Sequence, residues 1–203
     1  WEEEDTRNNM IEAIRRLGMF CNYYLQYYYS TDTALRTIQH KTKTRGEEVL
    51  EVENALFAKY QDESLSEKPE ELSKRGGAHY STAAFHLVEA IENNRQSRQV
   101  VCCRNNGAVP TFDDDVAVEV SAIIGKDGAK AIQQQAPAPS IRGLMQLVKA
   151  YESLTVEAAV KGDRDAAYEA MLLHPLMPNA GLCTKLLDEL LEINAPWLQG
   201  TFF

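Results

Sequence analysis

The period of apolar residues changes twice along this chain, and that change constrains the architecture most. Met10, Ile14 and Leu17 stand at helical spacing, with Asp5 or Thr6 to cap them and Gly18 to stop them. Val49, Val52, Leu56 and Tyr60 mark a second helix. Residues 61–77 are polar, carry Pro69 and Gly76-Gly77, and read as a loop with room for a short helix. Tyr80, Ala84, Leu87, Val88 and Ile91 mark another helix, which ends at Asn93-Asn94. The period then drops to two. Gln99–Cys103 is a short apolar run, Asn105-Asn106-Gly107 is a turn, and Val116, Val118 and Val120 alternate with Ala117 and Glu119. Lys126-Asp127-Gly128 is a hairpin-type turn, and 136–139 a linker. Helical spacing returns at Ile141, Leu144, Val148, Tyr151, Thr155 and Ala158. Gly162 ends that helix, Asp163 caps the next, and His174-Pro175 stops it. Leu182, Leu186, Leu190 and Ile193 mark a last helix, expected to finish before Pro196. Helices, a short strand region, then helices predict an α+β fold, mostly helical with a small antiparallel sheet.

The length of 203 residues suits a single domain, 1–203. A net charge of −9 argues against nucleic acid, where Lys and Arg contacts to phosphate dominate binding. The chain has no apolar run near the roughly 20 residues that span a bilayer, and no signal-peptide pattern. It also carries no glycine-rich dinucleotide fingerprint and no P-loop. Cys21, Cys102, Cys103 and Cys183 match no zinc spacing and suit a reducing, cytoplasmic setting. Adjacent Cys102 and Cys103 read as buried strand packing. The start, Trp1 followed by three glutamates, reads as the middle of a longer polypeptide.

Five of nine tyrosines fall within Tyr23-Tyr24-Leu25-Gln26-Tyr27-Tyr28-Tyr29. A core gains little from phenols where leucine would pack with no polar tip to satisfy. A pocket for a polyhydroxy ligand does gain. Tyr24 and Tyr28 share a side whether the segment is helix or strand. The other reading is an aromatic packing cluster or an oligomer interface, where tyrosine is enriched. Arg45 closes a basic stretch from His40 and precedes Gly46-Glu47-Glu48, at a helix start that suits an anion. The plainer alternative is a solvated loop. Asp113-Asp114-Asp115 suits a hard cation or a solvated turn, and the histidines form no metal motif.

Several segments, in order, resemble the C-terminal half of glycoside hydrolase family 4. They are Tyr24–Tyr29 with Thr31-Asp32, Arg45–Val49, Gly76-Gly77-Ala78-His79-Tyr80-Ser81, Asn105–Pro110, Asp115–Val120, Tyr151-Glu152 to Asp163, and Leu173-His174-Pro175-Leu176. Their forms look closest to the 6-phospho-β-glucosidases. The resemblance implies a C-terminal domain like that of lactate and malate dehydrogenases. It also implies a cytoplasmic, homo-oligomeric glycosidase acting on a phosphorylated disaccharide or aryl glucoside, with neither nucleic acid nor membrane as partner. The implied chemistry is oxidation at C3 by NAD, proton removal at C2, elimination and return of the hydride, helped by a divalent metal, manganese. By resemblance Tyr24 aligns with the base and Arg45 with the phosphate-binding arginine; Tyr28 and Asn106 match positions near the site. A phenol, with an ordinary pKa of about 10, needs a neighbouring cation to act as a base near neutral pH. The NAD domain and the metal ligands belong to the family's other half, so the resemblance places no metal ligand in this chain and implies that the chain alone is inactive. The alternative is a non-catalytic sugar-phosphate binding or oligomerisation module.

Overall fold

The period-two stretch becomes a three-stranded antiparallel sheet in the computed structural model, which describes residues 3–75, 79–198 and 202. Trp1, Glu2 and the motif residues Gly76-Gly77-Ala78 lie outside the described residues. Strand β1 (Ser97–Arg104) pairs with β2 (Ala117–Gly125), and β2 pairs with β3 (Gly128–Ala131). Val118, Val120, Ala122 and Ile124 point to one face of β2 and are buried. The cross-strand partners of these four are Cys103, Val101, Gln99 and Ser97, which fixes the register of β1. The alternation at Val116–Val120 therefore continues further than expected, and a third strand follows the Lys126-Asp127 turn.

One pairing expectation fails for a geometric reason. Adjacent strand residues point to opposite faces. Cys103 turns inward and is half-buried, while Cys102 faces out opposite Glu119 and is exposed.

Contacts divide the described residues into two compact units, one from 1–35 with 136–203, the other from 36–135. In the second, α4 (Arg45–Tyr60), α5 (Glu71–Arg75) and α6 (Tyr80–Glu92) accompany the sheet. Helix α6 rests on it through Leu87 and Ala90, which meet Ala122, Ile124 and Val101. Tyr80, Val88 and Ile91, which help to mark this helix in the sequence, are exposed. Between α6 and β1, Asn94 and Gln96 adopt φ of 47° and 51°. The Asn94 Oδ1 accepts from Gln96 Nε2 at 2.7 Å and from the Lys126 N–H at 3.1 Å, pinning the β2–β3 turn. A Cβ on Gly125 would run into the ends of the Gln96 and Asn94 side chains, which would have to swing aside.

In the first unit, α1 (Glu4–Leu17) ends at Gly18, whose φ of 66° is the left-handed stop that the sequence announces. Its N-cap is Glu3 rather than Asp5 or Thr6. Thr6 is buried and spends its hydroxyl on Thr33 at 2.7 Å. A 3-10 turn (Tyr23–Leu25) and α2 (Gln26–Tyr29) carry the tyrosines, and α3 (Thr31–Gln39) follows. Asn9 donates to Ser30 at 2.9 Å, and the Ser30 and Thr33 hydroxyls lie 2.5 Å apart. This buried polar chain ties α1 to the start of α3.

The rest of that unit is α7 (Pro139–Lys161), α8 (Arg164–Leu173) and α9 (Ala180–Leu198). Gly162, at φ 67°, ends α7, and Asp163 caps α8 by accepting from the Asp165 and Ala166 N–H groups at 2.9 and 3.0 Å. Helix α9 continues through Pro196 instead of stopping before it. Proline so near a helix end costs little more than one backbone hydrogen bond, to the carbonyl four residues back. Its buried face is Cys183, Leu187 and Leu191, while Leu182, Leu186, Leu190 and Ile193, which mark the helix in the sequence, are exposed. Arg164 pairs with Asp188 across α8 and α9. Among the described residues no helix is long and apolar enough to cross a membrane.

Candidate functional site

Tyr24 is placed by a local device. The Asn22 side chain accepts from the Tyr24 N–H at 2.9 Å, starting the 3-10 turn, and Gln26 runs it on into α2. The result is a short continuous helical stretch with Tyr24 and Tyr28 one turn apart. Tyr24 is 67 % exposed, and its ring meets Tyr23 edge-on at 5.9 Å. Tyr28 instead turns toward His174, ring to ring at 6.5 Å, with Tyr151 4.7 Å from the same imidazole. The His174 Nδ1 accepts from the Leu176 N–H at 3.2 Å. Tyr28 also lines a cavity of about 410 Å³ together with Tyr29, Thr31, Ser140, Leu144 and Pro175–Pro178.

The phenols differ chemically. Burial, then the neighbouring Tyr28 and Glu152, pushes the Tyr151 phenol up; burial, then Cys21, does the same to Tyr29. Both are therefore held protonated and make poor bases. A polar ligand meets Tyr24 more readily than either of these.

Arg45 opens α4, whose start is closed by a capping box. The Thr44 hydroxyl accepts from the Glu47 N–H at 3.2 Å, and the Glu47 carboxylate accepts from the Thr44 N–H at 2.7 Å. The Arg45 guanidinium donates to Glu48 at 3.2 Å and to the Lys74 carbonyl at 3.0 Å. That carbonyl is brought there by α5, which Lys59 and Glu71 tie to α4 at 2.7 Å. The Arg45–Glu48 pair is exposed on both sides. Such exposed pairs contribute about 0–1 kcal/mol.

Asn106 is exposed, at φ 43°, and lines a second cavity of about 410 Å³ with Arg104, Gly107 and Lys130. Its neighbour Asn105 does the organising. Fully buried, it donates from Nδ2 to the carbonyls of Val109, Phe112 and Asp113 at 3.1, 2.9 and 3.1 Å. Its Oδ1 accepts from the Val109 N–H at 2.7 Å. The adjacent turn glycine was the one sequence signal for this loop, and it does not say which asparagine faces in. Asp113-Asp114-Asp115 forms the exposed rim of the same loop.

Tyr24 and Tyr28 thus belong to the first unit, Arg45 and Asn106 to the second. Within each unit the two residues have different partners. Among the described residues no three His, Cys, Asp or Glu side chains converge on a metal position. The sequence carries no glycine-rich phosphate loop either, so the described residues compose neither a metal centre nor a dinucleotide cradle by themselves.

Residues 1–177 match the profile of the family 4 glycosyl hydrolase C-terminal domain. The chain is 40 % identical over 185 residues to a probable 6-phospho-beta-glucosidase of Bacillus subtilis, covering 90 % of this chain and 42 % of that protein. It is 30 % identical over 198 residues to a 6-phospho-alpha-glucosidase of Leptotrichia buccalis, covering 96 % of this chain and 44 % of the relative. Its fold matches the crystal structure of the 6-phospho-beta glucosidase of Thermotoga maritima with manganese, NAD+ and glucose-6-phosphate. The TM-score is 0.83 at 31 % identity, over 95 % of this chain and 48 % of the other. The chain therefore spans less than half the length of the relatives it matches.

Proposed function

Since this chain belongs to the glycosyl hydrolases of family 4, as the C-terminal domain of that family, we propose that it forms part of a 6-phospho-β-glucosidase. In this reading the two compact units together make one substrate-binding and oligomerisation domain, 1–203, of a cytoplasmic enzyme that associates with itself. The substrate is a phosphorylated disaccharide or an aryl glucoside. NAD and a divalent metal, manganese, are cofactors of the whole enzyme, held mainly by its other half. Tyr24 removes a proton from the sugar ring, Arg45 binds the 6-phosphate, and Tyr28 and Asn106 lie beside the substrate.

The observation that carries this reading is the exposed Tyr24, set at the head of a helical stretch by Asn22, while the half-buried phenols of Tyr29 and Tyr151 are pushed up by their burial. The exposed, weakly held guanidinium of Arg45 supports the phosphate role. The test joins this chain to the N-terminal half of a family member and supplies NAD, manganese, a reductant and a 6-phospho-β-glucoside. Activity should appear. Tyr24→Phe should lower kcat by about 100-fold or more, the scale of a lost general base, and Arg45→Ala should raise KM. Full activity in Tyr24→Phe removes the base assignment; an unchanged KM in Arg45→Ala removes the phosphate assignment.

A further inference from the structure

Two parts of the cavity beside Tyr28 are held by one residue. The His174 ring meets the rings of Tyr28, on α2, and Tyr151, on α7, at 6.5 and 4.7 Å, distances at which aromatic rings attract. Its Nδ1 accepts from the Leu176 N–H at 3.2 Å, and its carbonyl accepts from the Met177 N–H at 2.8 Å. His174 therefore steadies the Tyr28 side chain with its ring. With its nitrogen and carbonyl it steadies the turn that brings Pro175, Leu176 and Met177 into the lining.

That lining is short of hydrogen-bond donors. Pro175 and Pro178 have no N–H, and the N–H groups of Leu176 and Met177 are committed to His174. The Thr31 hydroxyl donates to the Tyr27 carbonyl at 2.9 Å. Leu144, Leu176 and Met177 add apolar side chains. The volume of about 410 Å³ falls within the range of small-molecule sites, about 300–1,000 Å³. A second sugar here would give up water at several hydroxyls and meet few donors in return, which disfavours it. A flat aryl group gives up no hydrogen bonds and gains the aromatic and apolar contacts of the lining.

The position also suits a part of the substrate. Tyr28 follows Tyr24 by one turn, about 6 Å along a helix axis, on the stretch that Asn22 starts. In the reading above Tyr24 takes the proton from C2, and the bond that breaks is at the neighbouring C1. A group leaving from C1 extends over that distance.

We propose that this cavity binds the leaving group of the substrate, that the group is aryl rather than a second sugar, and that His174 is the positioning residue that shapes the cavity. The role of the ligand rests on the enzymatic reading above; its aryl class rests on the lining.

Two experiments keep the cavity apart from the catalysis. In the first, this chain with labelled methyl groups is titrated with 4-nitrophenol at roughly millimolar concentration, the scale for so small a ligand. The Leu144 and Met177 methyl signals should shift together and saturably. Leu144→Asn should weaken the binding read at Met177 by about 10-fold, and Met177→Gln should do the same read at Leu144, each with native circular dichroism. In the second, the joined enzyme is given 4-nitrophenyl and methyl 6-phospho-β-glucosides and 6-phosphocellobiose. KM should be lower for the aryl substrate than for the disaccharide by about 10-fold. His174→Phe keeps a ring and loses the acceptor for Leu176; His174→Asn keeps an acceptor and loses the ring. Each should raise KM for the aryl substrate about 10-fold more than for the methyl one, whose leaving group is too short to fill the cavity. The Leu176 amide should exchange faster in His174→Phe than in His174→Asn. A role confined to folding moves both glucosides alike. Methyl signals that stay still in 4-nitrophenol overturn the proposal, as does an active enzyme that prefers the disaccharide or whose His174 variants affect both glucosides equally. A joined enzyme inactive on all three substrates, with the methyl shifts intact, removes the enzymatic reading and the leaving-group role with it, and leaves the cavity as an aryl site.

Discussion

Asn105 offers the sharpest test of how the strand loop is built. Its amide makes four hydrogen bonds, three to carbonyls and one from a backbone N–H, in a position with no solvent exposure. Asn105→Ala removes all four and leaves the Val109 N–H with no partner in its place. At about 1 kcal/mol net for each bond, with some relaxation of the loop, the expected loss is about 3 kcal/mol. Asn105→Asp has nearly the same shape but replaces the donor with a carboxylate facing three carbonyls. It should cost more at neutral pH. The buried carboxylate prefers its neutral form, so its folded-state pKa lies above the unfolded one. Stability should then recover as pH falls through that raised value, the reverse of ordinary acid denaturation. Urea titration followed by circular dichroism gives the free energies, and hydrogen exchange at the Val109 amide gives the local effect. A loss under about 1 kcal/mol in Asn105→Ala, with the Val109 amide still protected, would refute the reasoning.

Other expectations concern caps and close approaches. Thr44→Ala removes the capping box of α4 and should cost about 1 kcal/mol, read by urea titration. The Glu47 carboxyl is held below the usual range by hydrogen bonds from the Thr44 N–H and hydroxyl. Its contribution is complete above the unfolded carboxylate pKa and is lost as pH falls through the lower folded value, so Glu47→Gln should flatten stability across that acid window. Gly125→Ala must push Gln96 and Asn94 aside and should free the Lys126 amide to exchange; unchanged protection there would show that the Asn94 contact does not pin the turn. Thr33→Val breaks the buried hydroxyl chain from Thr6 to Asn9 and should cost about 1–3 kcal/mol by thermal denaturation.

How much was legible depends on whether a residue's signal is local. The helix at Met10, Ile14 and Leu17 was readable because period and stop glycine agree, and the Gly162-Asp163 boundary because each residue does one well-defined backbone job. The β2 face was readable from alternation alone. Helix α3 was not, since its buried residues are the small Thr33 and Ala34 while the larger Leu35 and Ile38 are exposed. The helix at α9 was readable from its stripe, but two apolar faces lie side by side there, and period alone does not say which one meets the rest of the fold. At the candidate site, spacing placed Tyr24 and Tyr28 on one side, yet their ring partners differ because His174, far along the sequence, claims Tyr28. The Asn105-Asn106-Gly107 turn was visible, but the division of labour between its asparagines depends on carbonyls up to eight residues away.

The outward turn of Cys102 gives the molecule a built-in clock for opening. All four thiols are free, but they stand at different depths. Cys102 meets an alkylating reagent at once. Cys103, half-buried one residue on, reacts when the inner sheet face is uncovered. Burial pushes the Cys21 and Cys183 thiols up and so starves them of thiolate. Cys183 also sits in the α8–α9 seam, its Sγ 3.6 Å from the Tyr168 carbonyl. The order in which mass is added under native conditions therefore reports, without any substitution, which layer of the protein breathes first and how often the last helix lifts from its seat.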